Sequence, residues 1–240
     1  MTRTALITAS SRGIGRAIAL RLSRDGASVA VNYQRNETAA KEVVATIEQA
    51  GGKAVAVRAD IADPADITRL FEEAAGALGG LDIVVNNAGV RAFGAVAEMP
   101  LDVLDSILAV NVRGTFLVMQ QAARVLRDGG RIINISTGHT REANPNVAAY
   151  GGGKTAAEYF ARVLAKELGS RRITVNSVLP GLTDTDGLSP DFRANDALLA
   201  RTPLGRLGRP EDIADVVAFL AGDDARWVTG DTIAAAGGLV

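Results

Sequence analysis

Along the chain, short runs dominated by Val, Ile, Ala and Leu alternate with longer segments whose apolar residues recur every three or four positions. The first pattern predicts strands buried on both faces and the second amphipathic helices; their alternation predicts βαβ units building a parallel sheet. Strands are predicted over residues 4–8, 28–32, 53–58, 82–85, 131–136, 174–178 and 232–235. Helices are predicted over 14–24, 37–50, 65–78, 101–126, 151–168 and 211–221. Two helix starts carry their own chemistry: Asp63 stands where it can cap a helix opening on Pro64, and Pro210 leads into Glu211 and Asp212. The expected class is α/β, with one doubly wound, mostly parallel seven-stranded sheet and helices on both faces. No low-complexity linker or fixed-period repeat divides residues 1–240, so one domain is expected. The least regular stretch, from Pro180 to Arg209, carries three of the seven prolines. Ligands of doubly wound sheets bind beyond the carboxyl ends of the strands, so residues 182–209 are read as a substrate lid.

Composition narrows the function. At 240 residues and 48% apolar content, the chain can bury a sizeable core. A formal net charge of −1 gives no general attraction to nucleic acid or to an anionic membrane, so neither is expected as a partner. The absence of Cys excludes disulfides, thiolate metal sites and a cysteine nucleophile, and the single histidine, His139, cannot form a histidine metal cluster. No metal is expected. No apolar run reaches the roughly 18 residues of a membrane span, and no signal-peptide pattern precedes the first strand. A cytoplasmic location is the expectation.

Directly after the first strand the chain reads Thr8-Ala9-Ser10-Ser11-Arg12-Gly13-Ile14-Gly15 and enters a helix. Glycines at such a turn admit a pyrophosphate close to the backbone, and the open N–H groups of the helix start favour its charge. This is a Rossmann-type arrangement. The second strand ends Val31-Asn32-Tyr33-Gln34-Arg35, without the acid that in an NAD-selective site binds the ribose hydroxyls. Arg12 and Arg35 can instead pair with a 2′-phosphate through planar guanidinium groups, so NADP(H) is expected over NAD(H).

Further motifs follow in order: Asp60 after the third strand, Asn86-Asn87-Ala88-Gly89 after the fourth, Asn111, Tyr150-Gly151-Gly152-Gly153-Lys154, and Pro180-Gly181 with Thr185. With these the chain resembles the short-chain dehydrogenase/reductase family along essentially its whole length. The stretches Thr202-Pro203-Leu204-Gly205-Arg206 and Trp227-Val228-Thr229-Gly230 are similar to those of 3-oxoacyl-acyl-carrier-protein reductases. The resemblance implies a homotetramer and reduction of a ketone, a small molecule or an acyl-thioester. It implies a cofactor groove formed by Ser10, Ser11, Arg12, Gly13, Ile14, Gly15, Tyr33, Arg35, Asp60, Ile61, Asn87, Ala88 and Gly89. Asn111, Tyr150, Lys154, Pro180, Gly181, Thr183 and Thr185 complete that groove by the same resemblance, with Asp60 on the adenine and the segment 180–185 near the nicotinamide. Ala9 departs from the family by replacing its first glycine.

The Tyr150–Lys154 pair carries the chemistry. With three tyrosines and four lysines in 240 residues, about 0.05 such pairs are expected by chance at this spacing. On a helix the two share a face, so phenol and ammonium can address one site. A phenol titrates near 10, and a neighbouring ammonium is expected to lower that value, suiting Tyr150 to reversible proton transfer. By resemblance Lys154 also binds the nicotinamide ribose, Asn111 maintains a water-linked proton path, and a hydroxyl contacts the substrate carbonyl. The family's thirteen-residue spacing back from Tyr150 lands on Thr137, with Ser136 one position earlier. Neighbouring strand side chains diverge, so only one of the two serves, and Thr137 is the first choice. Three consecutive glycines in this helix cost roughly 1 kcal/mol each relative to Ala, and close packing would be one reason for them.

A hydrolase is disfavoured: Asn134-Ile135-Ser136-Thr137-Gly138 lacks the first glycine of a nucleophile elbow, and the only histidine follows too soon. An alcohol dehydrogenase running oxidatively, or a nonenzymatic NADP(H)-binding regulator, stays open. Phe93, His139, Leu182, Leu188 and Phe192 are expected to face an apolar substrate.

Overall fold

The computed structural model describes residues 3–188 and 196–240. Seven strands form one sheet: β1 (Thr4–Ile7), β2 (Ser28–Tyr33), β3 (Ala54–Arg58), β4 (Leu81–Asn86), β5 (Leu126–Ile135), β6 (Thr174–Pro180) and β7 (Thr232–Ala235). Their order is β3-β2-β1-β4-β5-β6-β7, and every neighbouring pair runs parallel. The order reverses between β1 and β4, and the loops after these strands open on the same edge, which is where such sheets bind ligands.

The helices are α1 (Gly13–Arg24), α2 (Glu37–Gln49), α3 (Pro64–Leu78), α4 (Leu101–Ile107), α5 (Thr115–Val125), α6 (Ala148–Glu167), the short α7 (Asp196–Ala200) and α8 (Pro210–Ala221). Strand pleating divides the core in two. Ile7, Val31, Val85 and Ile133 pack with α1, α2 and α8 on one face, while Leu6, Ala30, Val84 and Ile132 pack with α3, α5 and α6 on the other. Local chemistry fixes the helix starts. Asn36 accepts from Ala39 N at 3.0 Å ahead of α2, and Asp63 accepts from Ala65 N at 2.8 Å ahead of α3. Each such cap is worth about 1 kcal/mol.

Two expectations need correction. The continuous helix expected over 101–126 is interrupted by a π-helical turn, Leu108–Gly114, between α4 and α5. A Cβ on Gly114 would lie 2.3 Å from the Ile61 carbonyl oxygen, so the turn is pressed against the loop after β3. The strand expected over 131–136 begins at Leu126, directly after α5, and its pairing with β4 breaks between Leu81 and Ile83 before resuming at Ile83–Arg131. Gly129, at φ +78°, allows the chain to bend through that irregularity. Both departures retain the hydrophobic pattern from which the elements were expected.

Candidate active site

The glycine loop is held by Asn32 on β2 and by Thr8 and Asn87, which directly follow β1 and β4. The Thr8 hydroxyl accepts from the backbone N–H of both Asn87 and Ala88 at 2.9 Å. The Asn87 amide donates to the Thr8 and Ala9 carbonyls at 3.0 and 3.1 Å. Buried Asn32 accepts from Ala9 N at 2.8 Å and donates to the Val57 and Ala59 carbonyls. Ala9 is thereby held at φ +50°, a left-handed conformation costing about 1 kcal/mol or more for a residue with a Cβ. Gly15 admits no substitute, because a Cβ there would lie 2.6 Å from both the Ala9 carbonyl oxygen and the Asn87 amide nitrogen. Arg12 precedes α1 without a side-chain cap, and no acid stands in the first turn, so the helix start presents its N–H groups to an anion.

Beyond β2 and β3 lies a cavity of about 420 Å³ lined by Gln34, Arg35, Arg58, Asp60, Asp66 and Arg69. Asp60 is pinned there, accepting from Gln34 at 2.7 Å and from Ala62 N at 2.9 Å. Arg58 was not anticipated by the sequence reading; it donates to the Gln34 carbonyl at 3.3 Å. Tyr33 and Ile61, expected in the groove, are buried in the two cores and line neither cavity. Ser10 is fully buried, its hydroxyl donating to the Ile7 carbonyl at 2.8 Å.

A second cavity, of about 710 Å³, opens at the carboxyl ends of β4, β5 and β6. Ile14, Asn87, Gly89, Thr137, Tyr150, Lys154, Pro180, Gly181, Thr183 and Thr185 all line it. Thr185 also reaches the phosphate loop, with its Cβ 3.7 Å from where a Cβ on Gly13 would lie. Leu182, Leu188 and Arg201 add walls from the irregular stretch, which is tied at its base by the Thr183–Gly208 bridge. Phe192 lies outside the described residues.

Within this cavity Lys154 is buried, and its ammonium donates to the Ile135 carbonyl at 2.7 Å. Burial pulls its pKa down to about 8, with the Glu158 carboxylate acting the other way. The Tyr150 phenol departs from expectation. Burial raises its pKa, opposed by a hydrogen bond with Thr137 and the charge of Arg91, whereas Lys154 is turned to the sheet. Thr137 and Ser136 do diverge: the Ser136 hydroxyl donates to the Glu158 carboxylate, while Thr137 faces Tyr150. Asn111 sits in the π turn, accepting from Val90 N and donating to the Val90 carbonyl, each at 2.8 Å. It therefore locks the loop carrying Gly89 against the helix.

Among the three helical glycines, Gly153 has a packing reason: a Cβ there would lie 3.2 Å from Asn111 Cβ. Gly152 faces open space. Phe93, His139 and Tyr150 meet edge to face, with ring centroids 5.8 to 6.3 Å apart, and burial lowers the His139 pKa so that the ring is neutral at neutral pH. Among the described residues no group of acids and histidines has the geometry of a metal site.

The family model for enoyl-(acyl carrier protein) reductase matches residues 8–240. The chain belongs to the short-chain dehydrogenase/reductase family. It is 46% identical to an uncharacterized oxidoreductase of Methylorubrum extorquens over 241 residues, covering 99% of this chain and 97% of the relative. It is 40% identical to the versicolorin reductase of Emericella nidulans over 251 residues, covering 98% and 95%. The crystal structure of the angucycline C-6 ketoreductase LanV with bound NADP superposes with a TM-score of 0.92 at 48% identity, covering 99% of this chain and 95% of that one. Among the described residues no helix is long and apolar enough to cross a membrane.

Proposed function

We propose that this chain is an NADPH-dependent reductase of ketones with Tyr150 as the proton donor. The observation that carries the reading is the convergence of Tyr150, Thr137 and Lys154 on one cavity beside an uncapped helix start and a glycine cradle that a Cβ would fill. The NADP of LanV and the reductase name of the Emericella relative support it.

The residues present fit the cofactor. The loop 9–15 would accept the pyrophosphate, Arg12 and Arg35 the 2′-phosphate, with Arg58 lining the same cavity as Arg35, and Asp60 the adenine. Lys154 and Thr185 hold the nicotinamide half. When bound, the reduced cofactor supplies a hydride to the carbonyl carbon. Thr137 donates a hydrogen bond to the carbonyl oxygen and Tyr150 delivers its proton there. The raised phenol pKa suits this direction, because Tyr150 stays protonated through neutral pH. The opposite, oxidative direction requires phenolate and is favoured only at alkaline pH.

Phe93, His139, Leu182 and Leu188 give the substrate a mainly apolar bed, which suits an apolar ketone or the chain of a 3-oxoacyl thioester. Exposed Phe116, Tyr159 and Val163 on α5 and α6 suit a symmetric helix interface within a homotetramer. NADPH consumption over a panel of aromatic ketones, aliphatic ketones and 3-oxoacyl thioesters tests the reading. Consumption with at least one class is expected, and none with any class would overturn it.

A further inference from the structure

Tyr150, Lys154 and Glu158 follow one another at four-residue intervals on a single face of α6. The first two belong to the chemistry proposed above. The third is a carboxylate 7% exposed, which an enzyme has reason to avoid burying unless it answers another charge. The last residue of β5 and the one after it meet two consecutive turns of this helix: the Ile135 carbonyl accepts from Lys154, and the Ser136 hydroxyl donates to Glu158.

We propose that Glu158 is a positioning residue: it supplies the buried negative charge that keeps Lys154 an ammonium inside the cavity, and Ser136 fixes it in place. The neighbours of Lys154 leave this role to Glu158. The π turn presents neutral Asn111, the loop after β4 presents Asn87 and Gly89, and β5 presents the Ile135 carbonyl with the Ser136 and Thr137 hydroxyls. Tyr150, one turn earlier on α6, is protonated at neutral pH. Arg91 bears on Tyr150 and His139, and Glu142 and Arg201 bear on His139. Glu158 lies one turn after Lys154 on the same helix face and is buried like it, and a carboxylate there favours the ammonium. An uncharged amine would lose the charge with which Lys154 attracts a nicotinamide ribose, so the acid acts on turnover through the lysine without touching substrate.

Lysine-selective ¹³C labelling tests this in the cofactor-free protein, since only four lysines occur in the chain and the Cε shift reports each ammonium directly. Glu158→Gln keeps an acceptor for Ser136 and deletes only the charge. The Lys154 midpoint is expected to fall by about one pH unit, the low end of what an opposite charge one helical turn away provides. Ser136→Ala keeps the charge and should leave the midpoint nearer to wild type than Glu158→Gln does. An unchanged midpoint in Glu158→Gln, or an equal fall in both variants, overturns the proposal. If Glu158→Gln does not fold, Glu158→Asp answers instead: with the charge kept, the Lys154 midpoint must stay near the wild-type value, and a fall of about one pH unit counts against the charge pairing. The inference takes from the proposed function only that Lys154 works as a cation. The titration requires no turnover, so its failure is separate from failure of the reductase reading.

Discussion

Replacing Lys154 with Met keeps the length of the stem and removes the buried ammonium. Lys154 is 4% exposed, and its pKa is depressed from 10.5 to about 8, chiefly by burial. At about 1.36 kcal/mol per pH unit the depression corresponds to about 3 kcal/mol by which the charge opposes folding. Below about pH 8 the lysine is charged in both folded and unfolded chains, and the full opposition is present. Between about 8 and 10.5 the unfolded chain holds more protons than the folded one, so wild-type stability rises with pH through that window relative to Lys154→Met. Urea unfolding of both proteins at one fixed concentration, at pH 7 and near pH 10.5, isolates this contribution, because the other titrating groups are common to both. The wild-type-minus-variant difference should grow in favour of the wild type by about 3 kcal/mol across the window. A difference that stays constant or shrinks would refute the reasoning and place the ammonium in contact with water.

Three further outcomes follow from the site. Arg35→Ala should weaken NADPH binding about 10- to 100-fold by isothermal titration, from the loss of a charge-assisted phosphate contact, and leave NADH affinity unchanged; equal loss for both cofactors would remove the 2′-phosphate role. Thr137→Val should lower kcat about 100-fold with NADPH affinity retained, whereas Ser136→Ala should keep most turnover; the reverse ranking would transfer the substrate hydroxyl to Ser136. Light scattering at micromolar concentration should give the mass of four chains, and a monomer would leave Phe116, Tyr159 and Val163 without a partner surface.

Much of this was legible in the sequence because the signals are local. Apolar runs such as Thr4-Ala5-Leu6-Ile7 are buried on both faces, so they read as parallel strands, and Asp63 before Pro64 is a cap chemistry complete within three residues. What escaped depends on distant partners. Thr8 and Asn32 hold the phosphate loop through Asn87, Ala88, Val57 and Ala59, which lie 25 to 80 residues away along the chain. The π turn at Asn111 leaves the composition of a continuous helix intact, and its close approach at Gly114 to the Ile61 carbonyl joins residues far apart in the chain. The direction of the Tyr150 shift was read from helical spacing alone, but the lysine reaches the Ile135 carbonyl and burial dominates the phenol. Glu158 reads in sequence as one more acid on an amphipathic helix; only the fold buries it against Ser136.

The most direct test of the proposed function is a comparison of wild type and Tyr150→Phe on one ketone that the wild type reduces, with NADPH affinity measured beside turnover. Removing only the hydroxyl should leave the cofactor dissociation constant within about twofold and lower kcat by at least about 100-fold, the loss expected of a missing general acid. Near-normal turnover in a folded Tyr150→Phe protein that still binds NADPH would contradict the assignment of Tyr150 as proton donor.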